Sequence, residues 1–486
     1  MQFSTALRYT GFFIFCYLLL LSLSYGESAY QPIFTLLVVI SIYFCLKIVN
    51  NLQKKYSASR IFLGVLLIGL VIRFLWAVLI PTLPVSDFIY FHENAINLSQ
   101  GTAISTEYIK YIGYNLLLSL GYRIYPEILT GKLINAAAST LSILLIYLTG
   151  SKLVNQQAGL IAASLFAILP SEINMVSVLS TEVIATTAGL VTAFFLTRTI
   201  SNNFNHSIIW SFFAGLFYGL GLTVRSSLIF YLPVMLLFIF FIAINIKQRV
   251  KISSSLLIGI TTGLFFITIS YSLIVGYISL EPLKAQDTII GVLIGTNAAT
   301  SGTWNLDDNN LFYSWPANER NNLVVREATR RITLKPAEFL LLIPKKFAVL
   351  MASNDYGNAW SLYAIDWGEG NLYGIHAPNG YNLERYKNFQ SKLIGINGLL
   401  SQAVYIFIWL FAFYAFINLK KDSVYRSISL IVLTITIFTL LPHIILEVQG
   451  RYHHTIMPFI TLLAACGVQQ NINMDTNEQH VVLFRE

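Results

Sequence analysis

Apolar runs of about 20 residues, each able to cross a bilayer as a helix, recur along the whole chain. They predict spanning helices near residues 6–25, 30–49, 61–82, 130–150, 156–171, 180–198, 207–224, 227–246, 253–277, 393–418, 426–446 and 453–470, about twelve in all. Pro170-Ser171-Glu172 interrupts the fifth and sixth. In the first long polar segment, Phe88, Phe91, Ala95 and Leu98 fall on one helical face, so Asp87–Leu98 predicts a short amphipathic helix. In the second, residues 323–350 alternate basic and apolar positions around Pro336 and Pro344, the pattern of a helix lying along a membrane surface. Residues 295–310, rich in Gly, Asn and Asp, show no period and read as loop.

The chain divides accordingly into two N-terminal helices (1–60), a transmembrane core (61–278) with a first loop at 83–130, a long loop (279–392), C-terminal helices (393–470) and a polar tail (471–486). The tail, from Gln469 onward, is expected to be disordered. No internal repeat is evident. Basic residues sort to alternate connections: Lys54, Lys55 and Arg60; Lys152; Arg198; Lys247, Arg249 and Lys251; Lys420, Lys421 and Arg426. Two of the intervening turns carry Glu27 and Glu172 and no base. The positive-inside rule then puts both termini in the cytoplasm and both long loops outside, in a multi-pass membrane protein.

Composition agrees. Of 486 residues, 56% are hydrophobic and 11% charged, and mean hydropathy is +0.66; a soluble globular chain carries about 25% charged residues. The net charge of +8 follows the loops and gives no reason to expect nucleic acid. Cys16, Cys45 and Cys466 lie in apolar runs at no metal-ligand or disulfide spacing. No Walker A, Gly-x-Ser-x-Gly or His-Glu-x-x-His pattern is present, so nucleotide hydrolysis, triad and zincin chemistry have no support.

Ionisable residues at the expected outer helix ends are the candidates for chemistry. Asp87, just past the third apolar run, could act as a general base, ligate a divalent cation such as Mg or Mn, or simply cap the helix that follows. Glu182 sits at or just inside an apolar run and is the second candidate, for catalysis or for the same metal; Glu172 is expected to be more exposed. Lys110, Arg225 and Arg451 are bases on the same side, suited to a phosphate or to lipid headgroups. Tyr90 and Tyr452, beside Asp87 and Arg451, complete the substrate-binding set. Arg451 could instead form a helix pair with Glu447. Arg73, in mid-run, could neutralise an internal acid or place a phosphate, while Asp307, Asp308, Asp355 and Asp366 read as loop or turn residues.

The segments PVSDFIYFHENAINLSQG, KYIGYNLLLSLGYRIYP, ILPSEINMVSVLSTEV, LTVRSSLIFYLP, REATRRITLKPAEFLLLIPKKF and RYHHTIMPFITLLAACG, in that order, resemble the GT-C superfamily of polyprenyl-phosphate-sugar-dependent glycosyltransferases. The likeness is to the bacterial branch related to protein O-mannosyltransferases and lipid A aminoarabinose transferase, which implies a plasma (bacterial inner) membrane with the active site on the outer face. It implies an all-α GT-C fold with outer juxtamembrane helices, a polyprenyl-phosphate sugar donor, a glycolipid, glycan or protein acceptor, and no nucleotide cofactor. It also implies that Asp87 matches the first-loop acid, Glu182 the acid of the second outer turn and Lys110 a phosphate-contacting base, with Arg225 and Arg451 near the lipid phosphate. Two features depart from the pattern. Tyr111-Ile112-Gly113 stands where a paired proline often follows the lysine, and two helices precede the one that leads into the acidic loop. A twelve-helix secondary transporter or a non-catalytic polysaccharide-assembly subunit are the competing readings; acids at helix ends and unlike halves speak against the first.

Overall fold

A computed structural model describes residues 5–25, 31–104, 106–200, 204–242, 245–280, 289–362, 383–418 and 423–474. Those residues form helices and connecting segments, with no strand among them. The first helices are α1 (Thr5–Ser24), α2 (Gln31–Leu52) and α3 (Ala58–Leu79), then two short ones, α4 (Asp87–Ser99) and α5 (Ile112–Tyr122). α6 (Ile128–Leu153), α7 (Gln156–Ile168), α8 (Pro170–Asn174), α9 (Thr181–Arg198), α10 (Phe204–Val224), α11 (Leu232–Ile242) and α12 (Ile246–Val275) follow. Next come α13 (Ile290–Gly295), α14 (Leu306–Ser314), α15 (Arg320–Leu334), α16 (Pro336–Met351) and α17 (Tyr356–Leu362). The chain closes with α18 (Leu383–Ile417), α19 (Ser423–Leu440) and α20 (Met457–Met474). The end of the bundle from which α4 and α5 emerge is termed the head.

Each of the twelve apolar runs contains helix, but the described residues hold seven helices long and apolar enough to span, or eight if the bent pair α7–α8 counts as one. The difference lies in length and polarity. Tyr9–Ser24, Ser226–Phe240 and Ile428–Ile444 are apolar but short, and α9 is diluted by its threonines and charged ends. The interruption at Pro170 is real: α7 stops at Ile168 and the next segment turns away by 58°. The polar tail starts later than expected, since α20 runs to Met474 and Gln469 is buried, donating to Asn155 and Gln157.

The core is a continuous apolar mass in which α6 and α7 meet α3 and α20, and α20 meets α18, with Phe62 stacked on Tyr147 at 4.0 Å and Phe15 on Phe416 at 5.0 Å. Where α10 crosses α12, small residues replace large ones. A Cβ on Gly215 would stand 2.0 Å from the Leu256 carbonyl oxygen, and one on Gly259 2.1 Å from that of Phe212. Backbone therefore meets backbone, the contact by which small-xxx-small pairs join helices where lipid supplies no hydrophobic drive.

Between α12 and α18 the chain builds a polar appendage. The segment read as loop is turn and loop over 296–305, but its last residues begin α14, opened by Asn305, whose Oδ1 accepts from the Asp308 amide. Asp308 is no turn residue. It is 2% exposed and takes Arg331 of α15 at 2.6 Å, with Asn297 and Asn305 donating to its other oxygen. Burial pushes the Asp308 carboxyl up, but the bonds from Arg331, Asn305 and Asn297 outweigh it, and it ends below its ordinary 3.8. Residues 323–350 form α15 and α16, with Pro336 in the first turn of α16 and Pro344 inside it. Lys346 ties the appendage down, its buried ammonium donating to Gly295 O at 2.6 Å and Ile444 O at 3.1 Å. Asp355 accepts from Tyr25 and Ser353; Asp366 lies outside the described residues.

Two measurements test this packing. Gly259→Val should lower the thermal midpoint of the detergent-solubilised protein, the overpacking costing on the order of 1–3 kcal/mol, and an unchanged midpoint would contradict the backbone contact. A carboxyl with a depressed folded value stabilises above its unfolded value and loses that contribution as pH falls through the folded one. Amide exchange over residues 306–334, corrected for intrinsic rate, should therefore accelerate below pH ~4, and Asp308→Asn should show the faster exchange already at neutral pH.

Candidate functional site

The chain leaves α3 in extended form, and Ser86, at φ 53°, turns it sharply into α4. Ser86 occupies the cap position, so Asp87 is the first helical residue and not the cap. α4 buries Phe88, Phe91, Asn94, Ala95 and Leu98, the face its spacing predicted. That leaves the Asp87 carboxylate half-buried with no hydrogen bond or ion pair among the described residues.

Glu182 lies in the first turn of α9, where the helix's unpaired amides favour negative charge. It is 1% exposed. Its Oε1 stands 3.0 Å from Arg225 Nη1 and 3.4 Å from Arg451 Nε. Arg225 follows the last residue of α10 and caps a 3₁₀ turn, Ser226–Tyr231; it also donates to Thr181 and Ser227. Arg451 comes from another 3₁₀ turn, Gly450–Ile456, that leads into α20. Its guanidinium is boxed by aromatic rings, 4.9 Å from the Trp360 centroid, 5.1 Å from Phe88 and 5.9 Å from Tyr452. Tyr452 also lies 5.2 Å beneath Arg225. The two cations thus share one carboxylate and one ring.

The helix pair expected between Arg451 and Glu447 does not form. Arg451 Nε donates to Gln449, and Gln449 donates to Glu447 at 2.7 Å. Burial pushes the Glu447 carboxyl above its ordinary 4.5, with Gln449 and Arg451 pulling it only partly back and Asp87 adding to the rise. Asp87 is within electrostatic reach of both Glu447 and Arg451. Lys110 sits at the edge of the group, in the 3₁₀ turn Thr106–Tyr111, its ammonium 5.2 Å from the Tyr111 ring; Tyr111 in turn acts electrostatically on Arg451.

Asp87, Glu182, Arg225, Arg451 and Tyr452 therefore come together at the head of the bundle, with Lys110 bordering them through Tyr111. Tyr90 does not join them: it is 39% exposed and stacks on Tyr108 at 4.7 Å. Glu172, expected near the surface, is as buried as Glu182. Sequence reasoning missed Trp360 and Phe88 as walls around Arg451; only the aromatic spacing of α4 hinted at the second. Glu182 fits poorly as a ligand for a divalent cation, because two guanidiniums lie against its Oε1 and their positive charge opposes a cation beside Oε2. Asp87 keeps a free carboxylate, but no group of three or more His, Cys, Asp or Glu that could hold a metal is present among the described residues.

Below this charged cluster the bundle holds an apolar slot lined by Gly189, Ala193 and Leu196 of α9, Tyr231, Val234 and Phe238 around α11, Val432 and Ile435 of α19, and Phe459 of α20. The α9 residues lie roughly 10–21 Å along the helix from Glu182, at 1.5 Å per residue. Tyr231 joins slot to cluster, its hydroxyl 2.5 Å from Thr455 in the turn that carries Arg451.

Comparison with known proteins adds a family. The family model described as dolichyl-phosphate-mannose-protein mannosyltransferase matches residues 112–274, about a third of the chain, which includes Glu182 and Arg225. No curated protein matches. Among solved structures, the archaeal oligosaccharyltransferase AglB from Archaeoglobus fulgidus, in complex with an inhibitory peptide and a dolichol-phosphate, is similar at 15% identity and a TM-score of 0.46, over 88% of this chain and 53% of that one. The apo form of the Archaeoglobus fulgidus oligosaccharyltransferase gives 15% identity and 0.46, over 83% and 50%. The chain spans about half the length of these structures. The GT-C resemblance read from the sequence is thus met, across residues 112–274, by a family of membrane glycosyltransferases.

Proposed function

We propose that the protein transfers a sugar from a polyprenyl-phosphate-linked donor to an envelope acceptor, a glycolipid, glycan or protein, at the outer face of the membrane. The observation that carries this is the placement of two guanidiniums on one buried carboxylate, in a bundle that also holds an apolar slot linked to that cluster through Tyr231. Glu182 offsets one of the two positive charges and holds both side chains rigid. An anion with a long hydrocarbon tail complements what remains: phosphate at Arg225 and Arg451, isoprenoid in the slot.

The chemistry follows from the leaving group. A sugar joined through its anomeric carbon to a lipid phosphate departs when that carbon–oxygen bond breaks, so no nucleotide is required. The electron pair goes to the phosphate oxygen, where Arg225 and Arg451, with Lys110 at the edge, stabilise the growing charge. The acceptor hydroxyl or amine loses its proton to Asp87, which has no other partner to compete for that role. The family resemblance implies one displacement with inversion. Glu182 acts through the arginines and touches no reacting atom in this scheme. The outward orientation rests on the distribution of Lys and Arg between loops.

In membranes supplied with a polyprenyl-phosphate sugar, Asp87→Asn should abolish transfer with insertion and thermal midpoint unchanged; undiminished turnover in that variant would refute the role of Asp87. Arg451→Ala should weaken polyprenyl-phosphate binding by at least tenfold. Glu182→Ala leaves two buried guanidiniums uncompensated, and should destabilise the fold by about 3–5 kcal/mol, read as a large fall in thermal midpoint that Arg225→Ala does not match.

A further inference from the structure

Arg73, Glu172 and His454 are buried, polar and unused by the scheme above. They meet at the break between α7 and α8. Pro170 has no amide hydrogen, so Phe166 O loses the donor that a continuous helix would supply four residues on. Arg73 supplies it from α3: Nη2 donates to Phe166 O at 3.1 Å and Nη1 to Ala167 O at 3.0 Å, while Nε donates to Ser139 at 2.7 Å. The guanidinium also lies within electrostatic reach of Glu172, on the far side of the break. The kink is therefore held open by a cation, and the kink aims Glu172 inward.

What Glu172 meets there is His454, with Nε2 3.3 Å from Oε2. The other ring nitrogen, Nδ1, lies 2.7 Å from the Tyr356 hydroxyl. A neutral ring that accepts from Tyr356 carries its N–H on Nε2, the atom that faces Glu172 as a close polar contact outside hydrogen-bond geometry. His454 stands three residues after Arg451 in the 3₁₀ turn Gly450–Ile456. Residues three apart eclipse one another in 3₁₀ geometry. The turn thus presents two rungs on one face, Arg451 to Glu182 at 3.4 Å and His454 to Glu172 at 3.3 Å.

We propose that Glu172 and His454 are positioning residues that fix the rotation of this turn and thereby the aim of Arg451, with Arg73 holding Glu172 in place. The consequence for phosphate binding rests on the site reading given under Proposed function; the placement of Arg451 does not. Trp360, 4.9 Å from the Arg451 guanidinium, reports that placement directly.

The full-length protein carrying 5-fluorotryptophan, with the Trp360 resonance assigned through Trp360→Phe, would be compared by fluorine NMR as wild type, Glu172→Gln, His454→Phe and His454→Gln. Polyprenyl-phosphate affinity would be measured on the same samples. The Trp360 resonance should shift in Glu172→Gln and His454→Phe, with affinity falling at least fivefold, and His454→Gln, which keeps a donor toward Glu172, should recover most of both. An unmoved Trp360 resonance in Glu172→Gln and His454→Phe overturns the proposal. A shifted resonance in a protein whose wild type does not bind polyprenyl phosphate upholds the positioning role and overturns the site reading.

Discussion

One carboxylate shared by two guanidiniums sets the geometry of the head of this bundle. Glu182, Arg225 and Arg451 come from the start of α9, the end of α10 and the turn before α20, and each would be costly to bury alone. Together they fix three separate helix ends at one point. The aromatic rings around Arg451 and Tyr452 beneath both cations exclude water from that point, which strengthens the pairing and makes the excess positive charge available to an anion. The apolar slot lies further along α9 and is tied to that point through Tyr231 and Thr455.

The local parts of this arrangement were legible in the sequence. Phe88, Phe91, Ala95 and Leu98 predicted α4 and its buried face, Pro170 predicted the break, and position at a helix end singled out Asp87, Glu182, Arg225 and Arg451. Pairing was not legible, because Glu182 and Arg451 are joined by tertiary folding and no spacing rule links them. The same limit hid the partners of Arg73, whose side chain completes the hydrogen bonding of a helix end far along the chain. Glu172 was misjudged because an acid beside a proline and a serine reads as a turn residue, while the 58° bend turns it inward.

Composition misled in two places. Residues 295–310 read as loop and are so up to Asn305, yet Asn305 caps a helix that takes in 306–310, and Asp308 is buried there against Arg331. The expected crossings shared the converse problem. The apolar run at 227–246 was long enough to suggest a span, but a 3₁₀ turn takes up its first residues and leaves a short helix.

The glycine contact between α10 and α12 has a mechanical consequence. Side chains can slip past one another by changing rotamer, but two backbones in contact have no such freedom, so this pair behaves as a fixed post. Arg225 is anchored at the top of that post, whereas Arg451 hangs from a 3₁₀ turn held by side-chain bonds. Of the two cations, one is thus positioned by backbone against backbone and the other by side chains alone.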